Sequence, residues 1–165
     1  MPEKRTRQAA ARDRREGKSP STRAGEFVRE EIEHVRHGKH GARSARQAIA
    51  IGLSKARRAG VEVPAKKTAS AAARKRAARD EQAGEHPHKP AATRSRATSR
   101  ALEKEGRAAA SKRALAGHAR KSAARRGAAA RSAAAKKAVR TKGAAGRSAA
   151  AKKAARTRAR RAHAR

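Results

Sequence analysis

The sequence predicts a mostly disordered chain with one small all-α element, an antiparallel helical hairpin. Three observations support this fold class. The chain has 165 residues and a formal net charge of +34, so self-repulsion opposes compaction. Its hydrophobic fraction of 36% is mostly alanine, and Phe27 is its one aromatic residue. The larger aliphatic side chains concentrate in residues 25–63, where we expect the ordered unit to form.

Composition divides the chain into four segments. Residues 1–18 are expected to form a disordered basic arm, or a frayed helix at most, because they show no apolar periodicity, and residues 19–64 form the hairpin. Residues 65–105 read as a low-complexity linker in which Pro87 and Pro90 interrupt any helix. Residues 106–165 form a basic tail rich in Ala, Lys and Arg. The tail is expected to be disordered alone and helical on nucleic acid, where phosphates remove like-charge repulsion.

The first hairpin helix is predicted from about residue 20 to residue 37. Ser19 and Pro20 suit a helix start, and Gly38 suits the stop. One face carries the apolar residues at spacings of three and four, namely Ala24, Phe27, Val28, Ile32 and Val35. The opposite face carries three acidic residues, Glu26, Glu30 and Glu33, together with His37. We expect a solvated acidic face; the alternative is that it docks the basic tail when nucleic acid is absent.

The second hairpin helix is predicted from about residue 44 to residue 59. Ser44 and Gln47 have the spacing of a capping box, and Gly60 followed by Pro64 ends the helix. Gly52 lies on the apolar stripe, which would permit close approach of the first helix. A hairpin of this size has few large apolar residues and is marginal alone, so we expect a homodimer or stabilisation by a partner.

Part of the hairpin sequence resembles a known protein family. The run RQAIAIGLSKA at residues 46–56, preceded by VRHGKHG at residues 35–41, resembles a family of small bacterial proteins of unknown function. Members of that family share a QAIAIxLSxA helix after a GK-rich loop, and the resemblance covers about residues 25–65. Family members often carry general labels such as DNA-binding or plasmid-stabilisation protein, so the resemblance implies a role of that kind without an established activity.

The tail has its own pattern. Residues 107–165 contain no Asp or Glu, and RSAAAKKAVRT at residues 131–141 recurs as RSAAAKKAART at residues 147–157. In composition and repeat this segment is similar to the tails of linker histones and of bacterial histone-H1-like proteins. No linker-histone globular domain is recognisable, so the similarity is confined to the tail.

The charge predicts a polyanionic partner, and duplex DNA is the favoured one. Neutralising phosphates releases condensed counterions without requiring a fixed fold, which predicts sequence-independent binding. Stacking on single-stranded bases needs aromatic side chains, which the tail lacks. The candidate phosphate-binding residues on the hairpin are Arg43, Arg46, Lys55, Arg57 and Arg58. Those on the tail are Arg125, Arg126, Arg131, Lys136, Lys137, Arg140, Lys142, Arg147, Lys152, Lys153, Arg156, Arg158, Arg160 and Arg161.

Several other classes of site are not predicted. The sequence has no phosphate loop, nucleophile elbow or H-E-x-x-H motif, so we expect no enzyme, no cofactor and no small-molecule substrate. His34, His37 and His40 have an HxxHxxH spacing, but Gly38 precedes the third histidine and the chain has no cysteine. These histidines are therefore interpreted as facing solvent or phosphate, and no metal site is predicted.

The functional hypothesis is a nucleoid- or plasmid-associated protein that coats or condenses DNA, in the cytoplasm and not on a membrane. The absence of an apolar run long enough to cross a bilayer and of a secretory h-region favours this location. One alternative is an RNA-binding or ribosome-associated accessory protein. The other is a protein–protein module in plasmid maintenance, in which the tail only localises the hairpin.

Overall fold

The computed structural model describes residues 2–65, 69–86 and 91–163, and these residues form helices joined by turns and loops, with no strand among them. The helices are α1 Lys4–Arg15, α2 Pro20–Arg36, α3 Ala45–Arg58, α4 Ala71–Glu85, α5 Ala92–Glu103, α6 Lys112–Ala124 and α7 Gly127–His163, with a 3-10 turn at Ala108–Ala110. The predicted fold class, a mostly disordered chain with a single hairpin, is therefore wrong.

The chain divides into two compact units, Met1–His118 and Ala119–Arg165. The first unit includes the hairpin and also residues that the sequence assigned to the arm, the linker and the start of the tail. The second unit contains α7. The two units differ in how they are held together, because the first has a buried core and nearly every residue of the second is exposed.

The two hairpin helices begin and end at the signals that the sequence carries. The Ser19 hydroxyl accepts a hydrogen bond from the Thr22 amide, and Pro20 occupies the first turn of α2. Ser44 accepts from the Gln47 amide at 3.2 Å, and the Gln47 side chain accepts from the Arg43 amide at 2.8 Å. After α2 and α3 the chain turns at Gly38 and Gly60, whose φ angles are 75° and 76°.

Small residues allow α2 and α3 to approach closely around a few larger side chains. A Cβ atom on Gly52 would lie 2.6 Å from the Val28 Cα, so only glycine fits this crossing. One buried cluster contains Ala10, Ala24, Phe27, Ala56 and Val61, and a second contains Val35, Ala42, Ala48, Ala109 and Ala110. Most of these residues are alanine, so the core gains its apolar contacts from short interhelical distances rather than from large side chains.

The basic arm forms α1 and packs on α2, contrary to the predicted disorder. Its buried residues are Thr6, Ala10 and Asp13. The Glu3 amide donates to both carboxylate oxygens of Glu30 at 3.3 Å, and Arg5 pairs with Glu33 at 3.4 Å. This helix was not predicted because its buried face is small and polar, without the large apolar side chains that indicate an amphipathic helix.

The segment predicted as a linker also adds helices to the first unit. α4 packs on α3, where Arg58 Nε donates to Asp80 at 2.9 Å and Gly84 lies against the Arg57 carbonyl. α5 follows, with its side chains largely exposed. The interruption expected at Pro87 and Pro90 lies outside the described residues.

Residues 102–110 close the first unit by packing on the loop between α2 and α3. The Gly41 amide donates to the Leu102 carbonyl at 2.9 Å, and the Ala42 amide donates to the Gly106 carbonyl at 3.1 Å. A Cβ atom on Gly41 would overlap the Glu105 carbonyl oxygen, so this contact requires glycine. Ala109 and Ala110 are buried beside Val35. The hairpin loop is therefore covered by a segment some sixty residues downstream.

The tail is helical over α7, so the prediction of a disordered tail is wrong. α7 spans Gly127–His163 and is interrupted at Gly143, whose φ of 63° and ψ of 178° are accessible to glycine. The two copies of the repeat, residues 131–141 and 147–157, lie on either side of this interruption. Because the side chains are exposed, helix propensity rather than packing accounts for the helix: Ala is the strongest helix former, and Lys and Arg are close behind.

The close crossing of α2 and α3 can be tested by replacing two different glycines of these helices, one at a time, with alanine. Gly52→Ala should lower the free energy of unfolding by about 1–3 kcal/mol, because the added methyl group forces α2 and α3 apart. Gly25→Ala is the matched control, because Gly25 lies inside α2 where a Cβ atom would have open space around it. It should be neutral or stabilise the helix by up to about 1 kcal/mol. Urea unfolding followed by circular dichroism measures both, and equal stability of the two variants would contradict the crossing.

Candidate nucleic-acid interface

The five basic residues predicted on the hairpin do not form a free patch. The ammonium group of Lys55 donates to Glu31 at 2.6 Å, and its side chain is 24% exposed. Arg57 Nε donates to the Val63 carbonyl at 2.8 Å, and its side chain is 11% exposed. Lys55 and Arg57 therefore stabilise the first unit.

The other three predicted hairpin residues lie at the surface. Arg43 is 3.5 Å from the Glu105 carboxylate and keeps 79% of its side chain exposed. Arg58 is exposed although it pairs with Asp80 at 2.9 Å. Arg46 is exposed, and its side chain makes no hydrogen bond or ion pair with any residue that the structure describes. These three can contact phosphate, and two of them first have to give up an exposed ion pair.

The predicted basic residues of the tail are all exposed wherever their side chains are described. They are Arg125, Arg126, Arg131, Lys136, Lys137, Arg140, Lys142, Arg147, Lys152, Lys153, Arg156, Arg158 and Arg160; the side chain of Arg161 lies outside the described part. Residues 119–165 contain 17 Lys and Arg and no Asp or Glu, so this unit has no carboxylate side chain of its own to pair with them.

Helical geometry fixes how these cations are presented. Each helical piece of α7 carries one Lys or Arg per roughly 4–5 Å of axis, from the rise of about 1.5 Å per residue. Duplex DNA carries one phosphate per roughly 1.7 Å of axis. The cations point to all sides of the helix because their spacings do not follow one 3.6-residue stripe. About half of them can face one duplex at a time.

The acidic residues follow the opposite distribution. All 13 lie between Glu3 and Glu105. Ten of them form ion pairs with cationic or histidine side chains of the described first unit. Glu30 and Glu31 are buried, at 3% and 0% exposure. The predicted solvated acidic face is therefore wrong at Glu30, which α1 covers. Within the first unit, Glu33 of this face pairs with Arg5 of α1, and Glu30 lies 4.0 Å from Lys55 of α3.

Glu3 joins α1 to the end of α2. Its Oε1 lies 2.6 Å from the Lys39 ammonium group and 2.9 Å from His34 Nε2. The hydrogen bond from Lys39, followed by that from His34, lowers the pKa of the Glu3 carboxyl from 4.5 to about 2. Glu3 is therefore ionised at neutral pH, where it holds the start of the chain against α2.

A carboxylate–histidine cluster lies at the same end of α2. Glu31, His34 and His40 each place one ligand atom within 4.8 Å of the others, and Glu3, Glu30 and His34 form a second such group. His37, which the HxxHxxH spacing placed with the other two histidines, is exposed. Sequence spacing missed Glu31, although its position three residues before His34 puts both side chains on one helix face. These donors have the chemistry to hold a divalent cation.

The comparisons with known proteins bear on part of the first unit. Residues 5–67, from α1 to just beyond α3, match a family of unknown function (DUF6496). This match confirms the resemblance to a family of unknown function and extends it to α1. No curated protein and no solved structure matches the chain. The GK-rich loop and the histone-H1-like tail remain resemblances in sequence.

Among the described residues, no helix has both the length and the hydropathy that a membrane span requires.

The assignment of Lys55 to the core can be tested against a neighbour on α3. Lys55→Ala should lower the free energy of unfolding by about 2–3 kcal/mol, because it leaves the buried Glu31 carboxylate without its cation. Arg46→Ala, which removes an exposed cation from the same helix, should change it by no more than about 0.5 kcal/mol. Thermal unfolding of both variants decides the point, and a Lys55→Ala protein as stable as Arg46→Ala would restore Lys55 to the candidate interface.

Proposed function

We propose that the protein binds duplex DNA without sequence preference through the exposed cations of its second unit, as a nucleoid- or plasmid-associated protein of the histone-H1-like kind. The observation that carries this proposal is the acid-free helix α7, whose described Lys and Arg side chains are exposed along both pieces. In the first unit, by contrast, most acids are already paired with cations.

Counterion release supplies the affinity in this proposal. Each phosphate neutralised by Lys or Arg releases condensed cations, and log K falls with log salt by about 0.9 per phosphate contact. If roughly ten side chains engage, the slope is about −9. This gain needs exposed, unpaired cations at high density, which is the arrangement along α7.

The shape of α7 favours a duplex. A helix is about 10–12 Å across and the DNA major groove is about 12 Å wide, so a helix with mostly alanine side chains between its cations can lie close to the phosphates. Gly143 divides α7 into two pieces, and a bend there would let each repeat follow the curvature of the duplex. Single strands are disfavoured because the second unit contains no aromatic side chain for stacking on bases.

The first unit adds a smaller contribution in this proposal. Arg43, Arg46 and Arg58 lie at its surface and can contact phosphate. The homodimer expected through the hairpin stays a prediction. It was expected because a hairpin with few large apolar residues is marginal alone, whereas α1, α4 and residues 102–110 pack on the hairpin within one chain.

Salt titration with two variants of the same four lysines, one that removes their charge and one that keeps it, tests the proposal. Replacing Lys136, Lys137, Lys152 and Lys153 by Gln should weaken duplex binding and reduce the magnitude of the salt slope by roughly 2–4, the value for two to four lost contacts. Replacing the same four residues by Arg keeps their charge and should leave the slope unchanged. Fluorescence anisotropy with a labelled duplex measures both, and binding that is independent of salt would contradict the proposal.

Competition with other nucleic acids tests the preference for DNA. Unlabelled duplexes of unrelated sequence should displace the labelled duplex equally well, because the contacts are to phosphate. Single-stranded DNA of equal nucleotide count should compete less well, because it lacks the charge density of the duplex and finds no stacking surface. Structured RNA that competes tenfold better than duplex DNA would favour an RNA-binding role.

A further inference from the structure

Two histidines and a buried glutamate meet where α2 ends and the loop to α3 begins. Glu31 and His34 lie on the last turns of α2, and His40 lies in the loop after Gly38. His40 Nε2 is 3.2 Å from Glu31 Oε1, and the rings of His34 and His40 meet edge to face with centroids 6.1 Å apart. One ligand atom from each of the three residues lies within 4.8 Å of the other two.

The Glu31 carboxylate supplies an independent indication of a ligand. The residue is 0% exposed. Its Oε2 accepts from Lys55 at 2.6 Å, whereas Oε1 is buried without a hydrogen bond, since the contact with His40 lacks hydrogen-bond geometry. A buried carboxylate oxygen without a donor is costly, and a cation bound between Oε1 and the two imidazoles would satisfy it.

Outer contacts orient both histidines for ligation. His40 Nδ1 lies 3.0 Å from the Gly41 carbonyl, to which it can donate, and this leaves the lone pair of Nε2 for a ligand at 3.2 Å from Glu31 Oε1. The second nitrogen of His34 is likewise left for a ligand, because Nε2 lies 2.9 Å from the Glu3 carboxylate. Histidines that bind metals commonly hold their other nitrogen against a carbonyl or carboxylate in this way.

The donor set selects the class of metal. Two imidazole nitrogens and one carboxylate oxygen suit Zn²⁺, which binds such trios with a water in the fourth position. Mg²⁺ and Ca²⁺ prefer sites built from oxygen alone. The neighbouring side chains Glu3 and Glu30 offset the charges of Lys39 and Lys55, so with neutral imidazoles the cluster as a whole keeps one negative charge.

We propose that Glu31, His34 and His40 bind one Zn²⁺ ion, which fixes the loop after α2 to the end of that helix. The loop carries Gly41 and Ala42, whose amides hold residues 102–110. Zinc would therefore stabilise the closure of the first unit, and its role is structural. This site is independent of the proposed DNA binding, which rests on the second unit.

Calorimetric titration of the full-length, untagged protein with zinc chloride, after removal of metals by a chelator, tests the site. The wild-type protein should bind one equivalent and unfold at a higher temperature with zinc. His34→Ala and His40→Ala should each weaken the binding at least about tenfold and abolish the thermal shift. His37→Ala is the matched control, because it removes an exposed histidine of the same segment and should bind zinc as the wild type does.

Histidine NMR of the wild-type protein tests the ligands even if a variant fails to fold. Zinc should shift the ring nitrogen resonances of His34 and His40 and leave those of His37 unchanged. Any one of three results overturns the proposal. These are no binding of zinc, equal zinc binding by His40→Ala and His37→Ala, or larger shifts of the ring nitrogen resonances at His37 than at His34 and His40.

Discussion

The fold of the first unit depends on how closely its helices approach, because the chain has very few large apolar side chains. Phe27 and Val35 are the largest apolar side chains that are fully buried. Around them the helices gain contacts by using alanine and glycine at the points of crossing. At Gly52 the α2 backbone occupies the space of a side chain, and at Gly41 the carbonyl of a distant residue does so. Such a core tolerates added volume poorly, since each methyl group at a crossing moves a whole helix.

Charge divides the two units as sharply as packing does. In the first unit the acids hold helices to one another, as Glu30 and Glu31 do beneath α1 and beside Lys55. In the second unit there are no acids, so its cations have no carboxylate side chain of that unit to pair with and stay exposed. The same residue types therefore serve different purposes according to their neighbours. A lysine beside a buried carboxylate contributes to folding, whereas a lysine on α7 is available to a polyanion such as DNA.

Local signals in the sequence predicted the hairpin but not the rest of the fold. The caps at Ser19 and Ser44 and the stripe through Phe27 specify α2 and α3 to within about one residue at each end. α1 was not predicted because its buried face contains Thr6 and Asp13, residue types that propensity and hydropathy assign to the surface. The packing of residues 102–110 rests on backbone hydrogen bonds and alanines, which leave no pattern to recognise.

For the candidate interface, the sequence located the cations of the tail but could not tell which cations of the hairpin were paired. The histidine spacing was recognised, but Glu31, three residues before His34, was not.

Lysine footprinting by limited acetylation, with and without duplex DNA, tests the division of roles between the two units most directly. The account predicts that lysines of α7, such as Lys136 and Lys152, react rapidly in the free protein and slowly on DNA. It predicts that Lys55 reacts slowly in both states, because Glu31 holds its ammonium group. Rapid reaction of Lys55 in the free protein with protection on DNA, and unchanged reactivity along α7, would contradict the account.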